Sequence, residues 1–278
     1  MANTVDKVIA IALAEVGYLE KKSNKNLDHK TKNAGSANYT KYGRDMHNLY
    51  PAVMDFPAAW CDCFVDWCFQ MAYGVCNAKK LLCGNFDDYT IFSAQLYKDK
   101  KAWYTSNPKV GDQIFFKNLR GTICHTGLVY KFDKNYVYTI EGNTSGASGV
   151  VANGGGVCKK KYGINASQIA GYGRPKYDVE DTKKTTQTTS KSTEFKKKPV
   201  LGYDVAKKYN KKYAKQFTVT ASALNMRSGA GTKKTIITAL KKGTKVQCYG
   251  YYNVSGATPW LLVQSDKCTG YCSKTYLK

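Results

Sequence analysis

The chain is poor in long apolar runs, in acidic residues and in histidine, and each shortage removes possibilities. Its longest uninterrupted apolar stretch, Val8 to Ala14, is seven residues, whereas a helix that crosses a bilayer needs roughly 18 or more. No transmembrane helix is expected. A secretory leader wants a basic start, an apolar stretch and a small-residue cleavage site; here Asp6 and Lys7 precede a short run broken by Glu15, so export by a signal of its own is not expected. Asp and Glu number 20 against 43 Lys and Arg, a formal net charge of +23. Such a field attracts polyanions such as nucleic acid, anionic lipid or teichoic-acid-bearing cell wall, and charge alone does not choose among them. The ten cysteines in 278 residues are too sparse and uneven for the dense disulfide framework of a small secreted scaffold, and mostly free thiols are expected.

What is present is enough to fold. With 43% hydrophobic and 23% charged residues, the chain can build one large or two modest globular domains. Residues 178–198, DVEDTKKTTQTTSKSTEFKKK, carry almost no large apolar side chain and read as a linker. It divides an N-terminal domain, 1–177, from a C-terminal domain at 217–278, with 178–216 as a Thr- and Lys-rich linker and lead-in. The N-terminal part holds 23 basic and 14 acidic residues and the rest 20 and 6, so the smaller part is the more basic.

Val8, Ile9, Ala12, Leu13 and Val16 fall at helical spacing and predict a first helix over Val5 to Tyr18. Cys61, Phe64, Val65 and Cys68 share one face of a second, over Cys61 to Tyr73. Short β-rich runs follow at Gln113 to Phe116, Thr122 to Tyr130 and Tyr136 to Glu141, with turn chemistry at Asp133 to Asn135. Helices first and antiparallel strands second is an α+β pattern. Beyond the linker, Phe217 to Thr220, Thr235 to Ala239, Lys245 to Tyr251 and Trp260 to Gln264 read as short strands of a small all-β barrel.

Only three histidines exist, His29, His47 and His125, and only His125 sits in a convincing strand. If Phe132 to Lys134 form the hairpin loop, His125 lies directly opposite Glu141, with Asn143 two residues further along the same face. A Cys-dependent acyl-transfer site needs a thiolate, an imidazole that exchanges its proton and a polar group that holds the imidazole. Cys61 begins a helix, where unpaired N–H groups and the macrodipole favour a negatively charged sulfur. Its face should pack on the sheet, toward His125. Cys63, about 200° further round the helix, should point away. Cys63, Cys68, Cys76, Cys83, Cys124 and Cys158 read as small buried hydrophobes.

Four ordered segments carry a resemblance: Trp60-Cys61-Asp62-Cys63-Phe64-Val65-Asp66-Trp67-Cys68, Gly111-Asp112-Gln113-Ile114-Phe115-Phe116, Cys124-His125-Thr126-Gly127 and Ile140-Glu141-Gly142-Asn143-Thr144. Together they resemble a CHAP domain, the cysteine- and histidine-dependent amidohydrolase/peptidase family within the papain-like NlpC/P60 group, over about residues 1–177. The resemblance implies that Cys61 is the nucleophile, His125 the general base and then acid, and Glu141 and Asn143 the polar residues that hold the imidazolium. It also implies cleavage of a peptidoglycan amide, with the Cys61 backbone N–H as an oxyanion donor. No cofactor is expected. Some members carry a calcium loop upstream of the nucleophile, and Asn24, Asn26 and Asp28 echo its alternating ligands; they supply one carboxylate, His29 stands where Gly is wanted and no terminal Glu follows, so a solvated loop is the expectation. A zinc site at Cys248, Cys268 and Cys272 lacks a fourth ligand, because no histidine follows His125.

The segments Ala223 to Gly229, Leu240 to Val246 and Gly270 to Leu277 are similar to a bacterial SH3 repeat over about 217–278, which implies a wall-binding module. Tyr251, Tyr252 and Trp260 could line its binding groove or fill its core. A two-domain arrangement of this kind without a leader looks like a phage or prophage endolysin, made in the bacterial cytoplasm and released to the wall by holin or lysis. The expected activity is that of an N-acetylmuramoyl-L-alanine amidase. The alternatives are a stem-peptide or cross-bridge endopeptidase with the same machinery, and a wall-binding protein with an inert site. Partners other than peptidoglycan and the anionic wall are not expected, since no helix-turn-helix, zinc-finger or RNA-binding signature accompanies the charge. No heptad or exposed-helix pattern speaks to oligomeric state.

Overall fold

A computed structural model describes residues 3–178, 204, 206–265 and 269–278. The linker expected at 178–198 lies outside the described residues except for Asp178, as does Cys268. Five helices come first: α1 (Val5–Glu15), α2 (Lys41–Leu49), α3 (Cys61–Tyr73), α4 (Val75–Leu81) and α5 (Thr90–Asp99). Six strands follow, β1 (Trp103–Tyr104), β2 (Gln113–Lys117), β3 (Ile123–Phe132), β4 (Tyr136–Thr144), β5 (Gly156–Gly163) and β6 (Ile169–Gly173). They form one antiparallel sheet in the order β1-β6-β2-β3-β4-β5. The remaining six are β7 (Lys208–Thr218), β8 (Ala223–Arg227), β9 (Ile236–Lys241), β10 (Lys245–Ser255), β11 (Thr258–Gln264) and β12 (Thr269–Ser273), in a second antiparallel sheet ordered β7-β10-β11-β12-β8-β9. The α+β order of the N-terminal part and the all-β C-terminal part are as the sequence predicts. Among the described residues no helix is long and apolar enough to cross a membrane.

The central helix departs from the expected single apolar stripe. Every residue of α3 is buried, Asp62, Asp66 and Gln70 included. It packs on β3 and β4 and also on α1, α2 and α4, and a helix covered on all sides has no solvent face to keep polar. Its polar side chains need internal partners instead. Asp62 accepts from Ser93 Oγ at 2.6 Å and from Gln113 Nε2 at 2.9 Å, and Asp66 accepts from the Asp87 N–H at 3.1 Å. Burial raises both carboxyl groups above the usual range; the Ser93 and Gln113 hydrogen bonds oppose it at Asp62, and the Asp62 charge adds to it at Asp66. Cys63 is buried in the apolar core, where burial raises its thiol well above the ordinary value.

The C-terminal barrel has its own apolar core, built from Phe217, Val219, Leu224, Met226, Leu240, Val246, Leu261 and Val263 with the buried thiols of Cys248 and Cys272. Burial pushes those thiols up, to about 11 and about 12. The first strand starts at Lys208, nine residues before the boundary at Phe217 that apolar content suggests. Residues 208–216 are mostly polar and exposed and are held by backbone pairing with β10, which leaves no hydrophobic signature. Eight described cysteines are free thiols. Cys76 is disulfide-bonded, contrary to its expected role as a packing thiol.

Candidate active site

His125 lies on β3 and Glu141 on β4, and the register between those strands decides how they meet. The observed partners are Leu128 with Ile140 and Val129 with Thr139, then, past a bulge, Lys131 with Tyr138 and Phe132 with Val137. The turn therefore leaves four residues, Asp133 to Tyr136, between the last partners rather than three, and the bulge at Tyr130 takes one residue back. The net displacement from the expected pairing is two residues. An even shift keeps His125 and Glu141 on the same face, but it sets Gly127, not His125, directly across from Glu141. Glu141 must then lean across Gly127 to reach the imidazole. A Cβ at Gly127 would sit 2.5 Å from Glu141 Cγ and 2.9 Å from the Ile140 carbonyl oxygen, so only glycine leaves that path open.

Both His125 and Glu141 are fully buried. His125 Nε2 donates to Glu141 Oε2 at 3.0 Å, which places the ring proton on Nε2 when the ring is neutral. The carboxylate is itself held: Tyr162 donates to the same Oε2 at 3.1 Å and the Thr139 hydroxyl donates to Oε1. The imidazole lies over Phe116, centroid to centroid 5.8 Å, and Phe116 packs on Tyr162. The other ring nitrogen, Nδ1, is buried without a hydrogen-bond partner, and Cys61 acts on the ring from α3. Burial lowers the pKa of His125, but the interactions of its side chain with Cys61 and Glu141 outweigh it and raise the ring from 6.5 to about 9. A protonated ring is favoured because the Glu141 carboxylate accepts from Nε2 and the influence of Cys61 adds to it.

Cys61 is placed by its helix. The first backbone bond of α3 runs from the Phe64 N–H to the Trp60 carbonyl at 3.0 Å, so the Cys61 N–H precedes the intrahelical ladder. Trp60 anchors the entry by donating from Nε1 to Glu20 Oε2 at 2.8 Å. At Gly142 an added Cβ would meet Phe64 at 2.6 Å and Trp60 at 2.9 Å; glycine there lets β4 close on the start of α3. Beside Cys61, Asp62 is tied through Gln113 to the hydroxyl of Thr126, the residue after His125. Helix and strand are thus cross-braced one residue from Cys61 and one residue from His125. Burial, and then the nearness of Cys61, raise the thiol of Cys124, next to His125.

Asn143 is buried with a left-handed backbone, φ 54°, at the irregularity between β4 and β5. Neither atom of its side-chain amide has a hydrogen-bond partner. Glu141, not Asn143, holds the imidazole. The expected groove residues are separated as well. Trp260 is 6% exposed and, with Leu262 and Tyr271, joins the apolar cluster of the N-terminal domain. Tyr251 donates to Asn48 Oδ1 on α2 at 2.6 Å, and Tyr252 packs edge-on to Tyr213 beside the barrel core. Two of the three aromatics fill the junction between the domains, so an exposed groove made of all three is ruled out. An apolar side chain buries equally well against a neighbouring domain, which a sequence pattern does not distinguish.

At the loop expected to be solvated, Arg44 forks both oxygens of Asp28 at 3.0 and 2.7 Å, and its hydrogen bonding lowers the Asp28 carboxyl. His29 Nδ1 accepts from the N–H groups of Thr31 and Lys32, and His47 Nδ1 meets the Met54 carbonyl oxygen. A guanidinium already neutralises the one carboxylate, so the loop does not fit a calcium ion. Adding a chelator, or millimolar calcium, is expected to leave the melting temperature unchanged; a calcium-dependent rise in a thermal melt would contradict this.

Thr139 and Tyr162 hold the Glu141 carboxylate without any sequence motif marking them. Thr139 was legible in principle, two residues before Glu141 on the same strand face, but Tyr162 lies on β5, which the sequence pattern left unassigned.

Residues 53–143 match the CHAP domain family and residues 222–278 the bacterial SH3 domain family. Among solved structures the chain is similar to the crystal structure of Ly7917, at 14% identity over 97% of this chain and 92% of that one, with a TM-score of 0.37. It is also similar to the structure of Ly7917 with the hydrolyzing product of MDP, at 14% identity and the same coverage, with a TM-score of 0.31. No curated protein matches the chain.

Proposed function

From a chain that carries a CHAP domain followed by a bacterial SH3 domain, we propose a peptidoglycan hydrolase that cleaves an amide bond with Cys61 as nucleophile and His125 as base and acid. The observation that carries the reading is the buried imidazole, held by Glu141 on Nε2 and acted on by Cys61, with its pKa raised to about 9. The imidazolium balances a Cys61 thiolate. The sulfur attacks the amide carbonyl, a C–S bond forms, and the Cys61 N–H donates to the oxyanion. His125 protonates the leaving nitrogen as the C–N bond breaks, giving a thioester. Water then attacks the thioester, His125 takes its proton, and the released carboxylic acid leaves Cys61 free. Glu141 keeps the ring in one tautomer throughout.

The bond we assign is the one between N-acetylmuramic acid and L-alanine, and the barrel we assign to wall binding through surfaces other than those that Tyr251 and Trp260 spend on the domain junction. The test is release of amines from purified Gram-positive peptidoglycan, with the new amino-terminal residue identified. N-terminal L-alanine supports the amidase; any other new terminus makes the enzyme an endopeptidase.

A pH prediction follows from the direction of the His125 shift. The imidazolium persists above its ordinary 6.5 and is lost as pH rises through about 9. The alkaline limb of kcat/KM is therefore expected near pH 9, and Glu141→Gln is expected to move it down by about a unit or more, since it removes one of the two raising influences. A pH–rate series on both proteins checks this; an alkaline limb that stays in place in the variant would contradict it.

A further inference from the structure

A cavity of about 1200 Å³ opens on the N-terminal domain away from Cys61 and His125. Seven cationic side chains line it: Lys79 and Lys80 from the end of α4, Lys100 and Lys101 just after α5, Lys109 before β2, and Arg174 with Lys176 after β6. One carboxylate is present, Asp112, and Arg174 already takes both of its oxygens at 3.0 and 2.8 Å. Among the described residues, Lys80, Lys100, Lys101, Lys109 and Lys176 have no carboxylate within ion-pair distance, and all five are exposed. Lysines at helix ends are ordinarily solvated one by one. Here two helix ends and two loops bring theirs to a single concave surface, where like charges concentrate the field on whatever anion enters.

The chemistry of the lining narrows the anion. Six of the seven cations are lysines, compact point charges suited to successive phosphodiesters rather than to planar, bidentate recognition of one group. No row of free aromatic faces is available to stack bases: the Arg174 guanidinium lies over Tyr104 at 4.0 Å, and Tyr177 is packed on Phe69 and Tyr73. The cavity lining reaches Asp112, just before β2, whereas Phe116, the partner of His125, lies four residues further along the chain, a separation of roughly 13 Å. The groove is thus outside the reactive site.

We propose that this groove binds the polyol-phosphate chain of an anionic wall polymer and so holds the N-terminal domain on the wall independently of the barrel. The inference rests on the reading of the protein as a wall hydrolase. The test uses the full chain with Cys61→Ser, so that walls are not digested, and compares two four-lysine variants. One carries Lys80→Gln, Lys100→Gln, Lys109→Gln and Lys176→Gln. The other carries Lys22→Gln, Lys25→Gln, Lys32→Gln and Lys134→Gln, exposed positions elsewhere that remove the same charge. Affinity for soluble poly(glycerol phosphate) is expected to fall about tenfold or more in the groove variant and less than about twofold in the control. Equal losses in both, or none in either, would sink the groove as a site. Tighter binding of duplex DNA than of the polymer, lost in the groove variant, would overturn the assignment in favour of nucleic acid. With Cys61 intact, the groove variant should hydrolyse polymer-stripped peptidoglycan at the unaltered rate. If the unsubstituted chain releases no amines while polymer binding still depends on the four groove lysines, the hydrolase reading fails and the groove stands.

Discussion

Cys61→Ser is expected to lower amine release from peptidoglycan by at least about 10³-fold, with the fold intact. Serine is close to cysteine in size and keeps the helix start, the Trp60 anchor and the barrel unchanged. What it removes is the sulfur. A hydroxyl beside His125 cannot supply the anion that the imidazolium is built to balance, so the hydrogen bond from His125 to Glu141 survives while the attack on the carbonyl does not. Cys124→Ser is the discriminating control, because Cys124 is within electrostatic reach of Cys61 and borders His125 in sequence. It should retain activity within about twofold, as expected for a half-buried packing thiol. Wild-type rates in Cys61→Ser, or a collapse in Cys124→Ser alone, would reassign the nucleophile. Sedimentation with intact walls should be equal in all three proteins, since binding and cleavage are separate in the proposed scheme.

The sequence made some of this site legible because the signals were local. The periodicity of Cys61, Phe64, Val65 and Cys68 located α3 to the residue, and the scarcity of histidine left His125 as the strand-borne imidazole. The face shared by His125 and Glu141 was readable because strand faces alternate with period two, so a register error of two residues leaves it intact. What was not legible depended on the chain folding back on itself. Helices α2, α4 and α5 are short, and their buried faces carry few large apolar side chains: Tyr42, Met46 and Leu49 on α2, Val75 and Leu81 on α4, and Tyr97 among Thr90, Ser93 and Ala94 on α5. The polar faces of Asp62, Asp66 and Gln70 invite the view of a half-exposed α3, when its partners Ser93, Gln113 and Asp87 come from segments 21 to 51 residues away. Tyr251 and Trp260 show the same limit from the other side: an aromatic on a small barrel looks like a ligand groove until a neighbouring domain is seen to cover it. The cationic cavity was visible only as net charge, since its lysines are scattered from residue 79 to 176.

Gly127→Ala is expected to reduce kcat/KM by about 10²-fold although glycine contributes no functional group. The added Cβ would lie 2.5 Å from Glu141 Cγ and 2.9 Å from the Ile140 carbonyl oxygen, distances at which something must move. Glu141 cannot rotate away cheaply, because its two oxygens are fixed by Tyr162, Thr139 and His125 in a fully buried setting. Either the carboxylate leaves the imidazole or β3 and β4 spread apart, and a misplacement of about 1 Å at a catalytic group is worth roughly that loss in rate. Overpacking of this kind also costs about 1–3 kcal/mol of stability. If Glu141 moves, His125 loses one of the two partners that raise it, and the alkaline limb should drop together with the rate. Gly163→Ala, where an added Cβ meets nothing within 4 Å, should behave as wild type. The decisive comparison is a double-mutant cycle: in a Glu141→Ala background the clashing Cγ is gone and only the close approach to the Ile140 carbonyl oxygen remains, so Gly127→Ala should cost markedly less further activity than it does in the unsubstituted chain. Full activity and an unmoved alkaline limb in Gly127→Ala would mean that the imidazole does not depend on Glu141 reaching across that glycine, and the observed register would then carry no catalytic consequence.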